Sequence, residues 1–234
     1  MKHFIFDVDG TLTPSRKNID GDFQKWFIEF CYDYNVYLVT GSDYAKTVEQ
    51  LGTTICENVQ MVYNCSGSDK WQAGHNVETS EWTLPEDAHN WLSEELSNST
   101  FPLRTGLHFE HRPGMCNFSV VGRNATLGER KLYVKFDTEH DERNKIANAF
   151  ESMFSEIQAK VGGETGIDIF PKGNDKSQIL KDFDPGDELH FFGDAMHPQG
   201  NDYPLKKAII DNDLGFCYNV KDWKHTWELL KTYE

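Results

Sequence analysis

The stretch FIFDVDGTLT, residues 4–13, holds a short apolar run followed by two carboxylates and a glycine turn. A run of this kind predicts a buried strand of a parallel sheet. Asp7 and Asp9 would then lie at the carboxyl edge of that sheet, where open α/β folds bind ligands. Side chains alternate along a strand, so we expect both carboxylates to point the same way. Their mutual repulsion is relieved by a cation, and Mg²⁺ is a hard divalent ion that suits oxygen ligands.

A bare Asp-x-Asp after a strand is also typical of a turn or a helix cap. The apolar lead-in and the Gly-Thr pair that follows favour the catalytic interpretation. The pattern D-x-D-G-T resembles the first motif of the haloacid-dehalogenase-like phosphotransferases. That resemblance implies that Asp7 is a nucleophile.

The composition excludes several classes of protein. The 234 residues carry a net charge of −15, which argues against a nucleic-acid partner. Asp7 interrupts the first apolar run, so we expect no signal peptide. Since no apolar run approaches the roughly 20 residues of a membrane helix, we expect no membrane partner. Five scattered cysteines, without C-x-x-C spacing, predict free thiols in a reducing compartment, which we take to be the cytoplasm.

Residues 23–51 continue the α/β pattern. Phe23, Trp26, Phe27 and Phe30 have the spacing of an amphipathic helix that faces the core. A second strand, residues 36–39, leads to Ser42. A hydroxyl between a strand and a helix either caps the helix or binds phosphate, and the preceding motif favours phosphate.

The middle of the chain has a different pattern. Thr83 and Glu86 have capping-box spacing and predict the start of a helix. Alternating apolar residues between 106 and 136 predict three strands, the last one over 132–136. Helix 141–159 and a strand at 166–170 follow. We therefore predict a Rossmann-like parallel-sheet core formed by residues 1–79 and 172–234, with an inserted α+β cap over residues 80–171.

Arginine is concentrated in that predicted cap, where five of the six arginines lie between positions 104 and 143. Arginine binds phosphate through two parallel hydrogen bonds, which lysine cannot make. From composition alone, pairing of these arginines with nearby acids is the simpler interpretation.

Four elements of the kinds that phosphoryl transfer needs recur in order along the predicted core. They are the Asp7–Asp9 pair, Ser42, Lys176, and Asp194 with the Asn201–Asp202 pair. Such chemistry needs a nucleophile, a proton shuttle, a metal and fixed donors to the phosphoryl group. We predict Asp7 as nucleophile and Asp9 as general acid and base.

The remaining roles follow the same logic. Ser42 would donate to the phosphoryl oxygens, and Lys176 would offset their charge and orient Asp7. Mg²⁺ would be held by Asp7, the backbone carbonyl of Asp9 and Asp194, with Asn201 and Asp202 in or beside its ligand shell.

The chain resembles the eukaryotic-type phosphomannomutases over most of its length. The stretch HRPGMCNFS, residues 111–119, together with Gly122-Arg123 is similar to the cap motif of that family, and FFGD at 191–194 with Gly200-Asn201-Asp202 is similar to its fourth motif. The resemblance implies exchange of mannose 6-phosphate and mannose 1-phosphate through a hexose 1,6-bisphosphate, which also activates the enzyme. It also implies a homodimer formed through the caps. The residues it assigns to substrate binding are Arg16, Arg112, Arg123, Arg130 and Asp168.

The chain departs from the family pattern at several positions, and other functions stay open. Gly166 replaces a substrate-contacting serine, Ala195 replaces a lysine, and residues 203–213 align poorly with a second ion-binding loop, which leaves Asp211 and Asp213 as weak candidates. The sugar preference, mannose or glucose, is therefore open. A sugar-phosphate phosphatase and a non-catalytic binding protein are the alternatives, and the intact motifs argue against the latter.

Overall fold

The computed structural model describes residues 1–198 and 200–233. The strands are β1 (Lys2–Phe6), β2 (Asn35–Val39), β3 (Met61–Asn64), β4 (Asp69–Gln72), β5 (His75–Thr79), β6 (Phe109–Arg112), β7 (Met115–Phe118), β8 (Ile157–Gly162), β9 (Gly166–Pro171), β10 (Glu188–Gly193) and β11 (Gly215–Asn219). The α-helices are α1 (Gly21–Asp33), α2 (Tyr44–Leu51), α3 (Thr53–Asn58), α4 (Glu86–Asn98), α5 (Leu127–His140), α6 (Glu142–Met153), α7 (Tyr203–Asp211) and α8 (Trp223–Leu230). Short 3-10 helices cover Cys65–Gly67, Lys176–Asp182 and Lys231–Tyr233.

A seven-stranded sheet forms the centre of the first compact unit, residues 1–79 and 173–234. Its strand order is β11-β10-β1-β2-β3-β4-β5, and the strands from β11 to β3 are parallel. The hairpin of β4 and β5 extends the sheet in antiparallel fashion. The parallel sheet with its helices confirms the predicted α/β fold class.

Hydrophobic residues cover both faces of this sheet, which explains why its central strand is apolar throughout. Phe4 and Phe6 pack in one core cluster with α1, α3 and α8. Ile5 belongs to a second cluster that includes residues of α7. The aromatic stripe of α1 is confirmed as core, because Phe23 and Phe27 are fully buried.

The second compact unit, residues 80–172, is built on a four-stranded antiparallel sheet. Its strand order is β6-β7-β9-β8, and its own core includes residues of α4, α5 and α6. Alternate residues of the strands, among them Cys116, Phe118 and Ile167, point into that core. The residues between them, among them Asn117 and Asp168, therefore share the opposite face of the sheet.

The strand predicted over residues 132–136 was wrong, because this segment lies inside α5. Thr126 and Glu129 form a capping box that starts this helix: the side chain of each accepts from the backbone N–H of the other. Tyr133 is buried by helix packing, whereas Leu132 is exposed. Three alternating apolar residues therefore did not suffice to identify a strand.

The capping box predicted for Thr83 and Glu86 was also wrong. Helix α4 begins at Glu86 after Pro85, and its N-cap makes no side-chain hydrogen bond. Residues Lys176–Asp182 form a 3-10 helix. Among the described helices, none combines the length and the apolar character that crossing a membrane requires.

Candidate active site

Asp7 stands directly after β1, at the centre of the parallel sheet. Its N–H donates to the carbonyl of Phe192 at 2.9 Å, which extends the pairing with β10 by one residue. Strand β1 ends at Phe6, so Asp7 and Asp9 lie beyond its regular alternation. The prediction that the two carboxylates point the same way rested on that alternation, and this reasoning was wrong. A tight turn follows instead, in which the N–H groups of Thr11, Leu12 and Thr13 all donate to the carbonyl of Val8.

Lys176 lies beside Asp7, although 169 residues separate the two in sequence. Its Nζ donates to Oδ1 of Asp7 at 2.5 Å and to Oδ1 of Asp202 at 2.7 Å. All three side chains are buried. Burial by itself lowers the pKa of Lys176, but the carboxylates of Asp202 and Asp7 raise it overall, so the ammonium stays charged.

Three carboxylates form a cluster at this edge of the sheet. One oxygen each from Asp7, Asp194 and Asp202 lie within 4.8 Å of one another. Burial raises the pKa of Asp7 to about 7, although Lys176 opposes that rise, and burial with the charge of Asp202 raises the pKa of Asp194. One ammonium does not balance three carboxylates, so the donor set fits a divalent, oxygen-seeking cation such as Mg²⁺.

Gly10 and Gly193 make room for this cluster. A Cβ on Gly10 would lie 2.3 Å from Oδ2 of Asp194, and one on Gly193 would lie 2.5 Å from Oδ2 of Asp202. Gly10 also has a φ of +81°, which favours glycine. The turn after Asp7 therefore approaches Asp194, and the end of β10 approaches Asp202, only because neither glycine carries a side chain.

We predict that Gly10→Ala lowers Mg²⁺ affinity and activity by more than its effect on stability explains. The positive φ alone should cost about 1 kcal/mol of unfolding free energy, since Ala is strained there. Gly186→Ala is the matched control, because Gly186 also has a positive φ (+101°) but has open space around its Cβ position. Urea unfolding should show similar losses for both variants, and calorimetry with Mg²⁺ should show a loss of affinity for Gly10→Ala alone. Equal Mg²⁺ affinity in the two proteins would contradict the prediction.

Asp9 is held apart from the cluster by its own donors. Oδ1 accepts from the backbone N–H of Arg16 at 2.5 Å and from Nε2 of Gln50 at 2.9 Å. Gln50 is buried on α2 and also donates to Thr13 and to the carbonyl of Lys17. Sequence reasoning assigned no role to Gln50. The signal was a polar residue next to Leu51 on the buried face of a helix.

Ser42 follows β2, which pairs directly with β1, so its backbone lies at the same edge of the sheet as Asp7. Its N–H donates to Oγ1 of Thr40, and its carbonyl accepts from the N–H of Cys65. The helix cap is provided by Asp43, whose Oδ1 accepts from the N–H of Lys46 at 2.8 Å. Because Asp43 caps α2, capping does not account for the hydroxyl of Ser42.

Two of the predicted substrate arginines come together in the second unit. Oε1 of Glu110 accepts from Nε of Arg112 at 2.7 Å, and Oε2 of Glu110 pairs with Nε of Arg123. Asp168 lies within the electrostatic reach of both guanidinium groups and accepts from Nδ2 of Asn117 at 2.6 Å. Burial raises the pKa of Asp168, and Asn117 and the two arginines oppose that rise. Glu110 and Asn117 had no role in the sequence prediction.

The other arginines have different surroundings. Nε of Arg130 donates to Oε2 of the exposed Glu164 at 3.3 Å, and Arg16 lies in the first unit in the loop that binds Asp9. Arg104 donates to backbone carbonyls around the end of α4, and Arg143 binds Asp137 and the carbonyl of Gly163. The last two therefore support the local fold.

The region aligned with a second ion-binding loop is a helix. Residues 203–211 form α7, and Lys207 pairs with Asp211 on its exposed side. Asp213 follows that helix with a positive φ. The three-carboxylate cluster defined above does not include either aspartate, and Asn201 is exposed beside the buried Asp202.

The amino-acid sequence is similar to that of phosphomannomutases over most of its length. A family model described as eukaryotic phosphomannomutase matches residues 23–232. The phosphomannomutase of Saccharomyces cerevisiae is 33% identical over 217 residues, covering 86% of this chain and 83% of the relative. That of Glycine max is 32% identical over 213 residues, covering 87% of this chain and 86% of the relative.

Solved structures share the fold at low identity. A haloacid dehalogenase-like hydrolase from Bacteroides thetaiotaomicron superposes with a TM-score of 0.62 at 13% identity, over 100% of this chain and 99% of that one. A trehalose-6-phosphate phosphatase related protein gives a TM-score of 0.59 at 15% identity, over 99% of this chain and 96% of that one.

The parallel sheet with carboxylates at its strand ends, and these structural neighbours, show the class of the fold, which is haloacid-dehalogenase-like. Within that class, two findings identify the family. The family model matches nine-tenths of the chain, and the relatives share about a third of its residues. The chain belongs to the eukaryotic phosphomannomutase family.

Proposed function

We propose that this protein is a phosphomannomutase that interconverts mannose 6-phosphate and mannose 1-phosphate. The observation that carries the proposal is the presence of two separate arrangements suited to phosphate. One is the buried Asp7–Lys176–Asp202 group with Asp194, and the other is the Arg112–Arg123 pair beside Asp168. A phosphatase needs only the first arrangement, whereas a mutase must bind a phosphate at either end of a sugar.

In the first half of the reaction, a carboxylate oxygen of Asp7 attacks phosphorus of a hexose 1,6-bisphosphate. The bond between phosphorus and the sugar oxygen breaks, and Asp9 gives that oxygen a proton. The products are an aspartyl phosphate and a hexose monophosphate. In the second half, a hexose monophosphate that carries its phosphate at the other position binds, and Asp9 accepts the proton of its free hydroxyl. That hydroxyl attacks the aspartyl phosphate, which regenerates Asp7 and a hexose 1,6-bisphosphate.

The contacts of Asp9 suit this proton transfer. The donors Arg16 N and Gln50 Nε2 both reach Oδ1, so we assign the transferred proton to Oδ2. Lys176 holds Oδ1 of Asp7 and keeps its carboxylate in one orientation. Ser42, at the end of the neighbouring strand, donates to the phosphoryl oxygens.

Mg²⁺ is the cation that we propose for the carboxylate cluster, with Asp7, Asp194, Asp202 and the backbone carbonyl of Asp9 as the residues that would hold it. When bound, it would offset the charge of the phosphoryl group during transfer. The excess of carboxylates over ammonium groups described above supports this assignment.

The remaining assignments concern the sugar and its second phosphate. We propose that Arg112, Arg123, Arg130 and Arg16 bind the phosphate that is not being transferred, and that Asp168 binds sugar hydroxyls. A trace of hexose 1,6-bisphosphate would be required as activator to load Asp7. We further propose a homodimer through residues 80–171, which the family resemblance implies, and a location in the cytoplasm.

One experiment separates the proposed function from a phosphatase on the same site. The pure protein is given mannose 1-phosphate, Mg²⁺ and a trace of glucose 1,6-bisphosphate, and mannose 6-phosphate and free phosphate are measured separately. We expect the isomer to exceed free phosphate. Free phosphate without isomer would contradict the mutase assignment. Glucose 1-phosphate in a parallel reaction tests sugar preference, which Gly166 leaves open.

A further inference from the structure

Glu110 links the two guanidinium groups of the second unit. It lies on β6, and its side chain is only partly exposed. Oε1 contacts Nε and Nη2 of Arg112 at 2.7 and 2.6 Å, while Oε2 pairs with Nε of Arg123. Each carboxylate oxygen of Glu110 thus contacts a different arginine. Burial alone would raise the pKa of Glu110, but these two arginines lower it overall, so the carboxylate is charged.

The strand register places Glu110 in a row of polar residues. Glu110 pairs with Asn117 across β6 and β7, and Asn117 pairs with Asp168 across β7 and β9. Directly paired residues lie on the same face of a sheet, and Arg112, two residues after Glu110, shares that face. Nδ2 of Asn117 fixes Asp168, while Glu110 fixes the arginines. The row therefore connects the residues proposed for phosphate with the residue proposed for sugar.

Two guanidinium groups close together repel each other, and each is carried by a long, flexible side chain. Arg112 comes from a strand, whereas Arg123 comes from the loop after Val121 and Gly122. Nothing in the covalent chain fixes the separation between their charges. Glu110 does so, because one carboxylate with two oxygens sets the positions of both Nε atoms. Its contacts run to Nε and Nη2 of Arg112 and to Nε of Arg123.

We propose that Glu110 is a positioning residue that holds Arg112 and Arg123 at the spacing at which both bind one phosphate of the substrate. This inference rests on the proposed function for the identity of the anion. Positioning by Glu110 and the negative charge of Glu110 predict opposite effects of its removal on phosphate binding. A carboxylate next to a phosphate site weakens anion binding by repulsion, so its removal would strengthen binding if spacing did not matter.

The test compares Glu110→Gln, Glu110→Ala and Glu110→Asp with wild type. Gln has one acceptor oxygen in place of two, so one arginine loses its partner. We expect KM for mannose 1-phosphate to rise about tenfold in Glu110→Gln, with a smaller change in kcat. A tenfold change in affinity matches the free energy that one hydrogen bond to a charged group contributes. Glu110→Asp keeps two acceptors and should retain more affinity than Glu110→Gln. Glu139→Gln is the control, because Glu139 is an exposed residue of α5 in the same unit.

A double-mutant cycle with Arg123→Ala distinguishes positioning from a general effect on the fold. Without Arg123 there is no spacing to set, so Glu110→Gln should then change KM by less than about twofold. Effects that multiply independently, or a KM that falls in Glu110→Gln, would overturn the proposal. Thermal unfolding checks that each variant is folded.

Binding measurements separate a failure of this inference from a failure of the proposed function. Calorimetry of mannose 6-phosphate with Asp7→Asn protein in Mg²⁺ needs no turnover. If wild type forms no isomer, the proposed function fails, but the same tenfold loss of sugar-phosphate affinity in Glu110→Gln would still support positioning. Unchanged affinity in that assay would overturn it.

Discussion

Asp7→Asn protein is expected to lose at least about 10³-fold in kcat for the interconversion of mannose phosphates. The amide keeps the size of the side chain and can still accept from Lys176 through its oxygen. It cannot displace the sugar oxygen from phosphorus, because an amide is a poor nucleophile. The aspartyl phosphate therefore does not form, and both the mutase and any phosphatase reaction stop together.

The same substitution should leave the fold intact. Burial raises the pKa of Asp7 to about 7 although the Lys176 ammonium opposes that rise, so the ionised form is less favourable in this site than in water. Replacing it with a neutral group of equal size removes one of three crowded carboxylates, and the unfolding free energy should stay within about 1 kcal/mol of wild type or rise. Urea unfolding in buffer without divalent cations measures this.

Asp22→Asn provides the control for Asp7→Asn. The side chain of Asp22 is 85% exposed on the first turn of α1, and the substitution makes the same chemical change far from any proposed role. Transfer of labelled phosphate from a hexose 1,6-bisphosphate to protein should occur in wild type and Asp22→Asn and be absent in Asp7→Asn. Labelling of Asp7→Asn at the wild-type level would show that another residue is the nucleophile.

The parallel core was predictable because its signals are local. An apolar run such as residues 4–6 is buried on both faces, and it needs no knowledge of the rest of the chain to be recognised as a strand. The prediction of a strand over residues 132–136 was wrong because the signal that decides the structure lies outside that segment. Their alternation was short, and the capping box of Thr126 and Glu129, which starts the helix, lies upstream of the segment.

Some residues of the candidate site could also be predicted from the sequence, and others could not. Asp7 and Asp194 follow strands of one parallel sheet, so their shared edge follows from the topology. Gln50 and Glu110 act through other residues, on Asp9 in one case and on two arginines in the other. Their partners are distant in sequence or lie on loops, and no spacing rule connects them. Such residues become visible only when the hydrogen bonds are known.

Lys176→Met is expected to lose both stability and activity, and the reason is electrostatic. The ammonium is fully buried between Oδ1 of Asp7 and Oδ1 of Asp202. Its removal leaves two buried carboxylates facing each other without a counter-charge, which typically costs about 3–5 kcal/mol of unfolding free energy. Activity should fall at least about 10²-fold, because Asp7 loses the contact that orients it.

Lys70→Met is the matched control, since Lys70 is also a buried lysine between two carboxylates in the same unit. Its Nζ lies 2.7 Å from Glu78 and 2.8 Å from Asp182. Those carboxylates are partly exposed, so water can solvate them after the substitution, and we expect a smaller loss of stability with kcat preserved. Added Mg²⁺ should stabilise Lys176→Met by binding the uncompensated charge of the carboxylate cluster, and should not rescue Lys70→Met. Wild-type kcat in Lys176→Met would restrict Lys176 to a structural role, because the nucleophile would then be oriented without it.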